Sequence, residues 1–78
     1  MGNSTITFEI KKHIGVITEY PTGWKKEVNI VSWNDGTPKL DIRDWDPDHK
    51  HMSRGITLHK EKAEVLLALL SKEFSDGK

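Results

Sequence analysis

Arg54-Gly55-Ile56-Thr57-Leu58 is followed, after His59, by Lys60-Glu61-Lys62-Ala63-Glu64-Val65-Leu66-Leu67-Ala68-Leu69-Leu70-Ser71-Lys72-Glu73-Phe74. The spacing of apolar residues changes across this join. Before it, short runs alternate apolar with polar side chains and are rich in β-branched residues, the pattern of strands. After it, Ala63, Leu66, Leu67, Leu70 and Phe74 recur at helical spacing with neither Gly nor Pro among them. That spacing predicts one helix over about Lys60–Phe74. Val65 and Leu69 widen its apolar arc beyond what one sheet needs, so the helix is expected to bury the excess against a second copy of the chain.

Working back towards the N-terminus, Ile6, Phe8 and Ile10 alternate with polar residues, and the same parity runs on through Ile14, Val16 and Thr18. This predicts one long first strand, with Gly15 at a bend or bulge. Tyr20-Pro21-Thr22-Gly23 is a turn, because Pro presets φ and Gly tolerates positive φ. Trp24–Trp33 is a second strand with Val28 and Ile30 facing the core. Asn34-Asp35-Gly36-Thr37-Pro38 closes a hairpin, with Asp-Gly as its signal. Lys39–Trp45 is a third strand with Leu40 and Ile42 inward, Asp46–Ser53 a polar loop, and Arg54–Leu58 a short fourth strand. Strands first and one helix last make an α+β domain with an antiparallel sheet. It is expected to be a single domain over 1–78, ordered from about 5 to 74. One helix covers one sheet face and leaves the other to solvent, a partner or a ligand.

Composition removes several classes of function. With no Cys, no disulfide or thiolate chemistry is available. Twelve basic residues balance twelve acidic ones for a formal net charge of +0, so any nucleic-acid contact must rest on a local patch. The longest apolar run, Val65–Leu70, is far short of a membrane span, and no basic-then-apolar leader opens the chain, so no membrane association and a cytoplasmic location are expected. Met1-Gly2 lacks the hydroxyl residue that myristoylation needs, since Ile6 stands there, and the Asn3-Ser4-Thr5 sequon is inert without secretion. No Gly-rich phosphate loop, G-x-S-x-G or H-E-x-x-H occurs, and His13, His49, His51 and His59 pair with no nucleophile at a useful spacing, so neither enzyme activity nor a cofactor is expected. Asp44, Asp46 and Asp48 have the opening spacing of a calcium loop. His49 stands where that loop needs Gly, however, and Gly55 where it needs Glu, so the segment reads as a solvated turn without a metal.

The face opposite Leu40, Ile42, Val28 and Ile30 carries the informative residues. By the period of two, Lys39, Asp41, Arg43 and Trp45 share it with Lys25, Glu27, Asn29, Val31 and Trp33. Trp33 and Trp45, interleaved with cations, fit single-stranded nucleic acid, whose bases stack on aromatic rings while Lys and Arg follow the phosphates. They fit equally a cross-strand aromatic pair or a dimer interface with snorkelling cations.

Leu40-Asp41-Ile42-Arg43-Asp44-Trp45, a polar loop, then Ser53-Arg54-Gly55-Ile56-Thr57-Leu58 and a helix resembles the positive cofactor four (transcriptional coactivator) domain, with its D-I-R-E-Y strand, basic loop, R-K-G-I-S-L segment and long helix. Phe8-Glu9-Ile10, Gly23-Trp24, Val31-Ser32-Trp33-Asn34 and Asp41-Ile42-Arg43 together resemble the small bacterial YdbC family, the prokaryotic branch of that fold. The likeness covers about residues 6–74. It implies a curved four-stranded antiparallel sheet followed by one helix, a homodimer through that helix, and binding of single-stranded DNA, with RNA as a second candidate. Arg43 matches the family's strand arginine, Arg54 the basic residue before Gly-Ile-Ser-Leu, Lys50 a loop lysine, and Trp45 the aromatic after Asp-Ile-Arg. Trp33 falls near the aromatic that ends the second strand, and Lys26 near a basic residue earlier in it, although its parity here is that of Val28.

Two positions depart from the coactivator branch: Asp46 replaces a Trp and Ser53 an Arg. The Ser-rich regulatory tail is also missing, so weaker phosphate attraction is implied and coactivation does not follow. The expected site comprises Trp33, Trp45 and Trp24 for bases and Lys26, Lys39, Arg43, Lys50 and Arg54 for phosphates. The expected protein is a non-enzymatic, homodimeric single-strand binder of little sequence preference, in the cytoplasm and associated with the nucleoid if DNA is its ligand, with a role in transcription, replication or repair. The alternative is a protein-interaction module using the same face.

Overall fold

The computed structural model describes residues 6–75. The sequon, Met1-Gly2 and the last three residues lie outside them. Four strands, β1 (Phe8–Glu19), β2 (Lys25–Trp33), β3 (Lys39–Trp45) and β4 (Met52–Leu58), precede one helix, α1 (Lys60–Phe74). The strands pair antiparallel in chain order in one open, curled sheet. The expected α+β architecture is the observed one.

The turns form for the reasons the sequence offers. Gly23, at φ 94°, closes the first turn by donating its N–H to the Tyr20 carbonyl at 2.9 Å. The second hairpin turns on Asn34 and Asp35, at φ 50° and 61°, rather than on Asp-Gly. Both central residues are left-handed, the geometry of a type I′ turn at the head of the Asn34–Pro38 loop, and the Gly36 N–H closes the turn on the Trp33 carbonyl at 2.8 Å.

Two expectations about the faces are corrected. First, β1 does not keep one parity. Its pairing with β2 slips between Ile10 and Lys12, between His13 and Gly15, and between Val16 and Thr18. Each slip re-aims the side chains that follow. Ile10, His13 and Val16 therefore line a cavity on the Glu27/Asn29 face, while Ile14 faces the Val28/Ile30 side.

Second, the buried residues lie on the face expected to be open. Val31 and Trp45 are fully buried there with Glu27, Asn29 and Asp41, whereas Val28, Ile30, Leu40 and Ile42 are only half-buried. The curl of the sheet, with Phe8 folded over Trp45, encloses this polar-aromatic face. The helix does little for the other: α1 touches only β3 and β4 and buries none of its own residues. Val65, Leu67, Leu69, Leu70 and Phe74 stay exposed on it, as does Ile56 on β4.

Candidate nucleic-acid interface

Asp41 and Arg43 are two apart on β3 and point the same way. Arg43 Nε donates to Asp41 Oδ1 at 2.6 Å and Nη2 to Oδ2 at 2.9 Å, a bidentate pair. Nη2 also reaches the Thr57 hydroxyl at 3.3 Å, and Nη1 the Ser53 carbonyl at 3.2 Å and the Met52 sulfur at 3.7 Å. The Thr57 hydroxyl in turn donates to Asp41 Oδ2 at 2.9 Å. Thus a carboxylate with no exposed surface is fully neutralised, and the guanidinium is held flat and nearly all buried. Gly55 stands opposite Arg43 in the ladder and makes this possible: a Cβ there would lie 2.4 Å from Arg43 Cβ and from the Ile42 carbonyl oxygen.

The fixed guanidinium lies 4.6 Å from the centre of the Trp33 ring, within cation–π range. Trp33, Arg43, Met52, Arg54 and Thr57 line an open, predominantly apolar cavity of about 470 Å³ with Ile6 at its rim. An aromatic ring beside apolar walls, with the fixed Arg43 and the exposed Arg54 lining the same cavity, suits a flat aromatic group attached to an anionic chain.

Trp45 sits beside this cavity, beneath Phe8 (ring centres 5.0 Å apart) and His49 (5.5 Å). Phe8 also reaches Trp33 at 5.8 Å, so one phenyl ring links both indoles. Among the described residues, neither buried indole Nε1–H meets an acceptor. Next to Trp45, the buried Glu27 carboxylate accepts from His49 Nε2 at 2.9 and 3.0 Å and from Asn29 Nδ2 at 3.1 Å. That orients the Asn29 amide so that its oxygen accepts from His13 Nδ1 at 2.7 Å.

The family model for Transcriptional Coactivator p15 (PC4) matches residues 20–69, from the first turn into the helix. The chain belongs to the PC4 family. A Treponema pallidum (strain Nichols) protein described as uncharacterized is 33% identical over 69 residues, 88% of this chain and 81% of the relative. Membership brings nucleic-acid binding of a coactivator type, in a family that is DNA-binding and non-enzymatic.

On this PC4-family sheet the residues singled out in the sequence separate into groups. Trp33, Arg43 and Arg54 meet in one cavity. Trp45 is on the same face, but the expectation that it is exposed is corrected: it has no accessible surface. Alternation along a strand reports the face, not what folds over it. Lys50 lies on the exposed loop after β3. Lys39, at the start of β3, lines the groove beneath the helix with Ile30, Leu40 and Leu67. Trp24 lies beside the first turn with Tyr20 and Thr22, far along β2 from Trp33.

Lys26 binds Asp44 at 3.0 Å, and the Tyr20 hydroxyl donates to the same carboxylate at 3.1 Å. The hydrogen bond to Asp44 raises the Lys26 pKa, and its counterpart from Lys26 lowers that of Asp44. For Asp46, burial opposes ionisation, but the His51 N–H and ring and the Lys50 N–H outweigh it and hold the carboxyl below its usual range. Asp46 is therefore the hub of its loop. Among the described residues no helix is long and apolar enough to cross a membrane.

Sequence reasoning missed Phe8, whose role depends on the curl of β1, and the Glu27–His49 contact between residues 22 apart. The Asp41–Arg43 pair was within reach, since two opposite charges at i and i+2 of a strand share a face.

Proposed function

We propose that this PC4-family protein binds single-stranded DNA with little sequence preference and without catalysis, as a homodimer. The observation that carries the reading is the Trp33 ring held beside the Arg43 guanidinium in a cavity open to solvent and edged by Arg54. A base stacks on Trp33, a contact worth ~1–3 kcal/mol and open to all four bases. Arg54 and Lys50, both exposed, take the flanking phosphates. Arg43 acts chiefly as the support of Trp33, because its donors are already engaged within the protein. Trp24 and Lys39 extend the path only at its margins, Lys26 lies off the Trp33 face in its contact with Asp44, and Trp45 is reached only if what covers it moves.

The dimer reading rests on α1, which leaves five large apolar side chains exposed and so needs a partner surface. A second α1 laid on the groove lined by Ile14, Val28, Leu40 and Leu67 supplies one. Light scattering is expected to give about twice 8.9 kDa.

Fluorescence titration with oligo-dT, duplex DNA and oligo-rU tests the ligand. Tightest binding to oligo-dT, weakened by Trp33→Ala in a folded protein, is the expected result. Preference for duplex, or indifference to Trp33→Ala, overturns the reading, and equal affinity for oligo-rU would extend the ligand to RNA.

A further inference from the structure

Trp45 combines three properties that an ordinary core indole does not. It has no accessible surface, its Nε1–H meets no acceptor among the described residues, and one of the two rings covering it belongs to a loop rather than to the sheet. That ring is His49, which holds a left-handed backbone at φ 57°.

The loop is a closed unit. The Asp46 N–H donates to the His51 carbonyl at 3.1 Å and the His49 N–H to the Asp46 carbonyl at 3.0 Å. The Asp46 carboxylate takes the Lys50 and His51 N–H groups at 2.8 and 3.1 Å. These bonds stay inside the loop. Across to the body of the sheet run the His49–Glu27 contact and the packing of Pro47 beside Gly23. At the base of the loop the β3–β4 pairing slips between Arg43 and Trp45, and the Asp44 N–H is met by the Ser53 hydroxyl at 3.3 Å. A rigid cap, an irregular base and one polar latch are the parts of a hinged cover.

We propose that residues 46–51 are a lid latched by His49 on Glu27, and that lifting it opens Trp45 as a second stacking site for an unpaired nucleobase, with the indole N–H free to meet an acceptor on the base. This rests on the single-strand reading above. Through Phe8 the new site adjoins Trp33, so successive bases of one strand reach both. A lid that is mostly closed lowers the affinity of this site in proportion to the fraction of molecules in which it is open. Glu27→Gln exchanges a charge-assisted latch for a neutral one, which raises the opening constant about fivefold.

The test is hydrogen exchange of the Trp45 indole N–H by NMR in the full chain, with the Val31 amide as the reporter of global unfolding. The indole is expected to exchange faster than the Val31 amide and about fivefold faster again in Glu27→Gln. Saturating oligo-dT is expected to shift its resonance and protect it in the unmutated protein. Glu27→Gln is expected to tighten oligo-dT binding by a similar factor, undiminished at high salt, where a purely electrostatic gain would fade.

Trp45 indole exchange that tracks the Val31 amide overturns the lid. An oligo-dT complex that leaves the Trp45 indole unshifted overturns the second stacking site while the single-strand reading stands. Failure of every nucleic acid to bind defeats that reading and the stacking site with it, and exchange alone then decides the lid. Should Glu27→Gln not fold, the exchange and oligo-dT arms on the unmutated protein decide the matter by themselves.

Discussion

Replacing Arg43 by Met keeps most of its volume and leaves Asp41 without its bidentate partner. The Asp41 carboxylate has no exposed surface and would retain only the Thr57 hydroxyl as a donor. Breaking a buried pair from one side costs about 3–5 kcal/mol, because the remaining charge is left uncompensated. Arg43 itself is 14% exposed, so some water reaches the vacated space and the lower end, about 3 kcal/mol, applies. Against the ~0.05–0.15 kcal/mol per residue typical of folded domains, that is a quarter or more of the total stability of 78 residues. The melting temperature is expected to fall by roughly 12–24 °C, at ~4–8 °C per kcal/mol for a domain of this size.

Urea and thermal denaturation at one fixed protein concentration measure it, since association shifts apparent stability. The double variant Asp41→Leu, Arg43→Met removes both charges and is expected to recover most of the loss. A single variant within about 1 kcal/mol of the parent, or a double variant no better than the single, would show that Asp41 does not depend on Arg43 for its charge balance. Either result would return Arg43 to the pool of cations free to meet phosphate.

Three further outcomes are expected. Trp45→Ala empties a fully buried site and costs about 3–5 kcal/mol of stability, so denaturation should report a damaged fold rather than a folded protein with weaker binding. Gly55→Ala forces a Cβ to 2.4 Å from backbone and Arg43 atoms and should cost about 1–3 kcal/mol, while Gly15→Ala, with nothing within 4 Å of its Cβ, serves as the near-neutral comparison in the same melts. Asp44 has a lowered pKa and Lys26 a raised one, so the stability their contact gives is full between about pH 4 and pH 10. It is lost as pH falls through the depressed Asp44 value or rises through the elevated Lys26 value, and Asp44→Asn should flatten both limbs of the stability–pH curve.

The strand order, β3, the helix and the join at His59 were legible because alternation, turn chemistry and helical spacing are local, whereas β4 begins at Met52, two residues before the expected Arg54. The helix spans Lys60–Phe74 in the structure, as its apolar spacing predicts. The faces of β2 and β3 were legible too: Trp33, Arg43 and Trp45 do share one. Burial was not legible from alternation. Val28, Ile30, Leu40 and Ile42 look like the core, yet the fully buried side chains include Asn29 and Asp41, which a sheet can enclose only when each finds its partner. One partner of each is two residues away on the same strand, Glu27 for Asn29 and Arg43 for Asp41, but the sets are completed only from far along the chain: His13 for Asn29, 16 positions away, and Thr57 for Asp41, also 16 away. The curl that brings Phe8 over Trp45 arises from slips in β1 pairing, and only Gly15 hinted at any of them. Lys26 shows the reverse case, since its parity with Val28 already set it apart from the Trp33 face.

In the proposed function, Trp33 and the exposed Arg54 at its cavity hold a single strand. Anisotropy of a labelled oligo-dT across a salt series, for the parent protein and Arg54→Ala, tests it most directly. Each phosphate contact contributes ~0.7 to the slope of log affinity against log salt for single strands. A clear negative slope is expected in the parent and a slope shallower by about 0.7 per lost contact in Arg54→Ala, with the fold intact. Affinity for oligo-dT that is indifferent to salt in both proteins, or no binding at all, would contradict it.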